Sequence, residues 1–433
     1  MILRLSSPAV RGLFVFLALV FVAGLSYSGI RNALAVHEAG LNTPEGYKRA
    51  TQIEPDDARN WYLLGRYWQY NLEHPVAPAA ISAYQKALSY DPHSADTWLD
   101  LGTAYESEGY IDDARNAFLQ AKRAYPVSPE VAWRYGNFLL RRGPSELKAA
   151  FAEIRHAVEA DPIRAAAALA LCVRFEPDFN AALDRVLPVS QAAYLNLISA
   201  LAGQEQTDQA LAVWSRLAAL HPKLQLSESY PLLEALIHKR QMEEAQRVWG
   251  QALLFAGVSR PPDPPGSLVW DGGFESNVVG GGFTWRYPAF VGGVVITLDT
   301  KEKHSGNRSI RLTFNGLRNV GFSDVCQYVP VQPSTSYHFS AWVLTRSLST
   351  DQGVRFGLQS IGDSGNSTAW TDDVEGTQPW TKVEFPWTSE KDVRELHLCV
   401  SRLPSAKFDS KIRGSAWIDD VALVPESAEN TRQ

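Results

Sequence analysis

The chain has 433 residues, enough for two or three domains that each bury their own core. Its formal net charge of −6, with the basic residues scattered, leaves no strongly positive face and argues against nucleic acid as a partner. The three cysteines, Cys172, Cys326 and Cys399, have no paired short spacing and give no support to a zinc or redox site.

The N-terminal residues 1–12 carry Arg4 and Arg11, and the stretch 13–30 (LFVFLALVFVAGLSYSGI) is free of charge until Arg31. A run of this length is just enough to cross a bilayer core of ~30 Å as a helix. The excess of Arg on its N-terminal side predicts a cytoplasmic N-terminus and an exported remainder. The expectation is a single-pass inner (cytoplasmic) membrane protein with its bulk in the periplasm. A cleavable signal peptide with Ala33-Leu34-Ala35 as its processing site is an alternative, and a buried helix is a third.

Residues 42–257 repeat with a period near 34. The stretch 95–126, ADTWLDLGTAYESEGYIDDARNAFLQAKRAYP, places Trp98, Leu101, Gly102 and Tyr105 on one helix face and Ala114, Phe118 and Ala121 on the next, closed by Pro126. Gly102 and Ala114 are small where the two helices must approach, Gly109 ends the first helix and Asp112 lies where the second should be capped. This matches the tetratricopeptide (TPR) pattern at every position. The unit before it repeats Trp61, Leu64, Gly65, Trp68, Ala80, Tyr84, Ala87 and Pro92, with a longer turn. Later units keep Gly136, Ala150, Ala157 and Pro162, then Trp214 and Trp249, around a degenerate helical stretch at 163–190.

The resemblance implies an α-α solenoid of five to six units with a concave protein-binding surface. The positions flanking the signature there are Asn60, Arg66, Asp100, Thr103, Arg134 and Asn137, with a solvated helix face as the alternative. The signature Trp and Tyr side chains are expected in the core, and Cys172 likewise.

Residues 258–267 (VSRPPDPPGS) predict a short, stiff linker. Beyond it the hydrophobic period changes from 3.6 to 2, and eight short runs (291–299, 308–314, 325–331, 336–345, 353–361, 380–388, 393–401 and 414–424) read as strands of an antiparallel β-sandwich, a jelly roll over 268–425, before a tail at 426–433. Cys326 and Cys399 fall in this region. They could pair in an oxidising compartment, but two separate small hydrophobes on strands is the preferred reading.

The segments WDGGFES, SGNRSIRLTF, CQYVPVQPSTSYHFSAWV, WTKVEFPW and SAWIDDVALV resemble, in order, the landmarks of family 4/9-type carbohydrate-binding modules. The resemblance implies a structural calcium held by Glu275, Asp419 or Asp420, or else the capping of strand ends by these carboxylates. Sugar binding needs aromatic faces with polar groups beside them. The candidates are Trp285, Tyr287, Tyr328, Arg355, Gln359 and Trp370, with core packing the alternative for each aromatic; Trp342 could equally be core and Trp380 is expected there.

No catalytic residue is expected. The Glu-x-Asp-x-x-Glu strand motif, Gly-x-Ser-x-Gly, phosphate loops and His-Glu-x-x-His are absent, and His304, His338 and His397 read as isolated surface or strand residues. The sequence thus predicts a multidomain chain, α then β: a non-catalytic, envelope-anchored adaptor that binds a protein through its solenoid and a polysaccharide through its sandwich, suited to export or assembly of a cell-surface glycan. The alternative is a pure protein-assembly scaffold.

Overall fold

The apolar N-terminal stretch forms one helix with the residues that follow it. In the computed structural model, which describes residues 8–71, 76–261, 263–363 and 365–426, helix α1 runs unbroken over Pro8–Gly40. The first seven residues, with Arg4, and the tail residues 427–433 lie outside the described residues. The α1 side chains from Leu13 to Ile30 are exposed, whereas Ala35 and Ala39 are buried. They pack with Ala50 of α2 (Pro44–Ile53), beside Tyr47, Ile53 and Leu63. The end of α1 is therefore the partner helix of what the sequence shows only as a half unit.

Three further helix pairs follow: α3 (Ala58–Tyr70) with α4 (Ala77–Tyr90), α5 (Ala95–Ser107) with α6 (Ile111–Ala124), and α7 (Pro129–Leu140) with α8 (Leu147–Ala160). Small residues set their approach. A Cβ on Gly65 would fall 2.6 Å from the Tyr84 ring, and one on Gly102 would fall 3.2 Å from Phe118. Ala80, Ala114 and Ala150, in the second helices of the three pairs, are fully buried. Gly109 leaves α5 at φ +79°, the left-handed conformation that ends a helix at little steric cost.

Two expectations are corrected here. Asp112 sits inside the first turn of α6, where its charge favours the helix dipole, and does not cap it. Trp61 and Trp98 are half-buried rather than core, because each indole N–H donates to the carbonyl of the proline that closes the preceding unit: Trp61 to Pro55 at 2.8 Å and Trp98 to Pro92 at 2.9 Å. The degenerate stretch holds two short helices, α9 (Ala165–Cys172) and α10 (Phe179–Val186), with Cys172 fully buried.

The chain divides into two compact units, 1–193 and 194–433. The division falls near the start of α11 (Gln191–Gly203), not at the proline-rich linker. The second unit thus contains α12 (Thr207–Ala218), α13 (Tyr230–His238) and α14 (Met242–Ala256) together with the sandwich. Within it, Trp249 of α14 meets Trp270 and Phe283 edge-on at 5.3 and 6.0 Å. Residues 258–267 are tied down rather than acting as a spacer. Arg260 donates to the Val269 carbonyl, and the Asp263 carboxylate accepts the backbone N–H groups of Asp271 and Gly272.

The sandwich comprises β1 (Phe290–Val291), β2 (Val294–Asp299), β3 (Ser309–Asn315), β4 (Phe322–Pro330), β5 (Ser336–Arg346), β6 (Arg355–Gly362), β7 (Gly365–Trp370), β8 (Gln378–Thr388), β9 (Glu395–Arg402) and β10 (Arg413–Pro425). One antiparallel sheet has the order β1-β2-β3-β10-β5-β8 and the other β4-β9-β6-β7. Alternate residues, among them Ile310, Leu312, Phe339, Phe356, Leu396 and Leu398, fill the space between. The expected run 291–299 divides into β1 and β2, and strand β7, which ends at Trp370, matches none of the expected runs.

Candidate functional site

The outer face of the four-stranded sheet is built by strand alternation. In β4, β9 and β6 the residues Val325, Val329, Leu396, Leu398, Phe356 and Leu358 turn inward, so their neighbours turn out. The register then aligns Tyr328, His397, Gln359 and Thr368 in one row across all four strands. The adjacent row is Cys326, Cys399, Gly357 and Trp370, and Arg355 lies opposite Ser401 in the next. Four of the six sugar-binding candidates, Tyr328, Arg355, Gln359 and Trp370, therefore share one surface.

Trp370 lies across β6. A Cβ on Gly357 would fall 2.8 Å from its six-membered ring, so the absence of a side chain there lets the indole rest on the strand while the residue stays 38% exposed. Tyr328 stacks on His397 with ring centroids 4.7 Å apart and has the Arg286 guanidinium 4.6 Å from its centroid. Burial raises the Tyr328 phenol and lowers the His397 imidazole from their ordinary values, which keeps both rings neutral. Arg355 is fixed by Asp373 at 3.1 Å and by the Gln352 side chain. Neutral rings beside a placed amide and a guanidinium suit the apolar faces and hydroxyls of sugars.

Two candidates are corrected. Trp285 is 1% exposed, tilted against Phe274 at 5.0 Å with its indole N–H on the Asp271 carbonyl, and offers no face to a ligand. Tyr287 is half-buried against the sandwich core and does not join the aligned rows. Trp342 and Trp380 are not core. Both are half-buried, and His304, not isolated, stacks on Trp342 at 3.9 Å and reaches Trp380 at 5.7 Å.

Cys326 and Cys399 form a disulfide across β4 and β9, contrary to the preferred reading of separate thiols. They were unreadable as a pair because their juxtaposition follows from strand register. His397 lies beside them, but the joined sulfurs offer no thiolates to a metal.

The three proposed calcium ligands are each hydrogen-bonded, as the alternative of capping carboxylates expects. The Glu275 carboxylate accepts the backbone N–H groups of Asn307 and Arg308 and the Asn307 amide. Asp419 accepts the N–H groups of His304, Ser305 and Asp420, while Asp420 binds the His304 ring and the Ser305 hydroxyl. Among the described residues the three carboxylates do not come together as one set of mutually close ligand atoms, although Asp419 and Asp420 oxygens and the Glu275 side chain all approach Gly273. Asp419 and Asp420 pin residues 304–305 to β10, and Glu275 ties residues 307–308 to the segment before β1.

In the first unit, four of the six solenoid candidates meet around one buried carboxylate. Asp100, 4% exposed, accepts from the Tyr62 and Tyr70 hydroxyls at 3.1 and 3.3 Å and from Arg134 at 2.8 Å, with Arg66 at 3.8 Å. Arg134 also donates to Thr103. Burial, then the Asp100 charge, pushes the Tyr62 phenol up to about 12. Asn137 and Arg134 help line an adjoining cavity of about 440 Å³ with Tyr70 and Trp133. Asn60 stands apart from this cluster, is 3% exposed and lines a separate cavity with Asn32, Tyr47 and Arg59.

Sequence reasoning missed His397, Glu395, Arg286 and Gly357. The outward alternation of 395, 397 and 399 in β9 was the available signal.

Residues 266–405 match the family model described as a carbohydrate binding domain, and residues 77–132 match one described as a tetratricopeptide repeat. The chain joins TPR units to a carbohydrate-binding-module-like sandwich. Over 80 residues it is 32% identical to Protein bimA of Emericella nidulans, a stretch that is 18% of this chain and 10% of that protein. The chain thus spans about a tenth of that relative's length. Similar solved structures include YrrB, a TPR protein with an unusual peptide-binding site (18% identity, covering 50% of this chain and 94% of that one, TM-score 0.26). Others are a family 16 carbohydrate binding module (17%, covering 36% and 99%, TM-score 0.26) and the pilF protein of Pseudomonas aeruginosa (14%, covering 54% and 95%, TM-score 0.29).

Proposed function

We propose that this protein is a non-catalytic adaptor, anchored in the cytoplasmic membrane with its bulk in the periplasm, that binds a polysaccharide on the outer face of the β4-β9-β6-β7 sheet and a protein through the TPR units. The observation that carries the reading is the alignment of Tyr328, His397, Gln359 and Trp370 on adjoining rows of one face, with Trp370 laid over Gly357. An aromatic platform of this kind matches the apolar faces of pyranose rings, and the family matched by residues 266–405 has carbohydrate binding as its description. The Asp100 cluster supports the protein-binding half. It presents Arg66 and Arg134 on a tyrosine-lined surface suited to peptide carboxylates.

The uncleaved anchor is favoured because Ala35, the last residue of the alternative processing site, is fully buried within a continuous helix. A place in cell-surface glycan export or assembly follows from joining these activities in one envelope chain.

The test is affinity electrophoresis of the detergent-solubilised chain through gels containing soluble xylan, glucan, mannan or galactan. Retardation by one of them that Trp370→Ala abolishes is the expected result. Passage of a folded protein through all four without delay would move the assignment to the scaffold, in which the sandwich is a protein-binding or spacer domain.

A further inference from the structure

One end of the sugar-facing sheet is roofed. The C-terminal half of α13 and the turn after it lie over the rows that contain Glu395 and Tyr328, and a cavity of about 450 Å³ remains between them. Its walls are Glu234, Ile237, His238 and Arg240 from the helical side and Tyr328, Ile361 and Glu395 from the sheet, with Arg286 beside Tyr328. The volume falls in the range of pockets that hold small ligands, about 300–1,000 Å³.

The roof is fastened at both sides. Glu234 accepts from Arg286 at 2.6 Å and from the Gly282 backbone at 2.8 Å, and Arg240 pairs with Asp363 at 3.0 Å. Glu395 is different. It is 3% exposed, it faces this cavity, and its Oε2 has no hydrogen-bond partner among the described residues. A buried carboxylate short of donors is costly, and the cavity that the same side chain lines is where a ligand donor would approach it.

The surroundings select the donor. Arg240 and Arg286 both lie close enough to Glu395 to favour its charged form, and they would repel an ammonium group. A neutral hydroxyl is not repelled. Ile237, Ile361 and the Tyr328 ring supply apolar walls, and Tyr328 also belongs to the aligned row of the open face. We infer that this pocket receives the terminal residue of a neutral glycan, with the Glu395 carboxylate accepting its hydroxyls, so that the protein takes hold of glycan chains by their ends. The inference rests on the glycan-binding reading above and assigns a polarity to it: the chain runs from Trp370 across the open face and stops under α13.

The test uses the full chain in detergent, with isothermal titration of short and long oligosaccharides of xylose, glucose, mannose and galactose. The expected result is binding that counts chain ends, so that capacity at equal glycan mass falls as the oligosaccharides lengthen, with Glu395→Gln weakening it roughly tenfold. Binding by the native chain near pH 7 should also release protons, because donated hydroxyls favour the carboxylate, and this release should vanish in Glu395→Gln. That variant is isosteric and removes a buried charge, so loss of fold is not the expected cause of weaker binding. Binding lost in Trp370→Ala but unchanged in Glu395→Gln, or capacity that follows glycan mass, overturns the chain-end inference and leaves the glycan reading standing. No binding by any of the four series overturns both.

Discussion

At Glu395 the demands of stability and binding conflict within one side chain. Burial lifts its carboxyl from the ordinary 4.5 to about 7. The folded chain therefore takes up this proton more readily than the unfolded chain. The stability linked to it is complete below pH 4.5 and is lost as pH rises through 7. Glu395→Gln cannot ionise. Urea unfolding should show the variant and the native chain equal near pH 4.5, with the variant more stable at pH 8 by up to roughly 3 kcal/mol. A native chain that matches or exceeds the variant at pH 8 would contradict the buried, unpaired state of this group. Asp271 and Asp419, both lifted to about 6 by burial, add a slope of the same sign at lower pH that the two proteins share. A ligand that supplies donors to Glu395 would recover part of what the empty pocket forfeits, which is the usual relation between a binding site and its stability.

At the scale of single elements, β6 and β7 show how a glycine positions an aromatic. Gly357→Ala places a methyl where the Trp370 ring rests, and the ring must tilt or lift. The substitution should weaken polysaccharide retardation nearly as much as Trp370→Ala while changing the unfolding midpoint little, because Trp370 lies on an edge strand. Retardation equal to that of the native chain would mean that the ring face is not a platform. The β4–β9 disulfide closes a loop with a sequence separation of 73, for which chain entropy gives about 4 kcal/mol. Dithiothreitol should lower the urea midpoint of the second unit accordingly and leave the first, whose Cys172 is unpaired, unaffected.

The same elements mark what a reader of the sequence can and cannot see. Strands such as Ser336–Arg346 alternate cleanly because one face is core, and they were legible. Gly365–Trp370 was not, because its residues are polar and nearly all exposed on a sheet edge, which removes the periodic signal. Tyr328, Gln359 and Trp370 were legible as residue types suited to sugars. Their alignment, the Cys326–Cys399 pair and the roofing of Glu395 by α13 depend on register and on contacts distant in sequence, which no local pattern encodes.

Across the first unit, one helix carries both the apolar segment and the first repeat. Helix α1 carries Leu13 to Ile30 exposed, then Arg31 and Asn32 on the Glu54 carboxylate at 3.4 and 3.2 Å, then Ala35 and Ala39 in the core of the first pair. With no loop between the apolar segment and the solenoid, the orientation of the TPR units about the helix axis is set by the same rotation that aligns Ala35 with Ala50. Cleavage after Ala35 would remove both polar partners of Glu54 and fray the helix that covers Ala50 and Tyr47. A chain beginning at residue 36 should therefore lose roughly 1–3 kcal/mol in the first unit, from an unpaired, nearly buried carboxylate and lost packing. Mass spectrometry of the mature protein should find the apolar segment still attached. A mature chain that starts near residue 36, with an unfolding midpoint equal to that of the full chain, would make the segment an export signal and the solenoid independent of it.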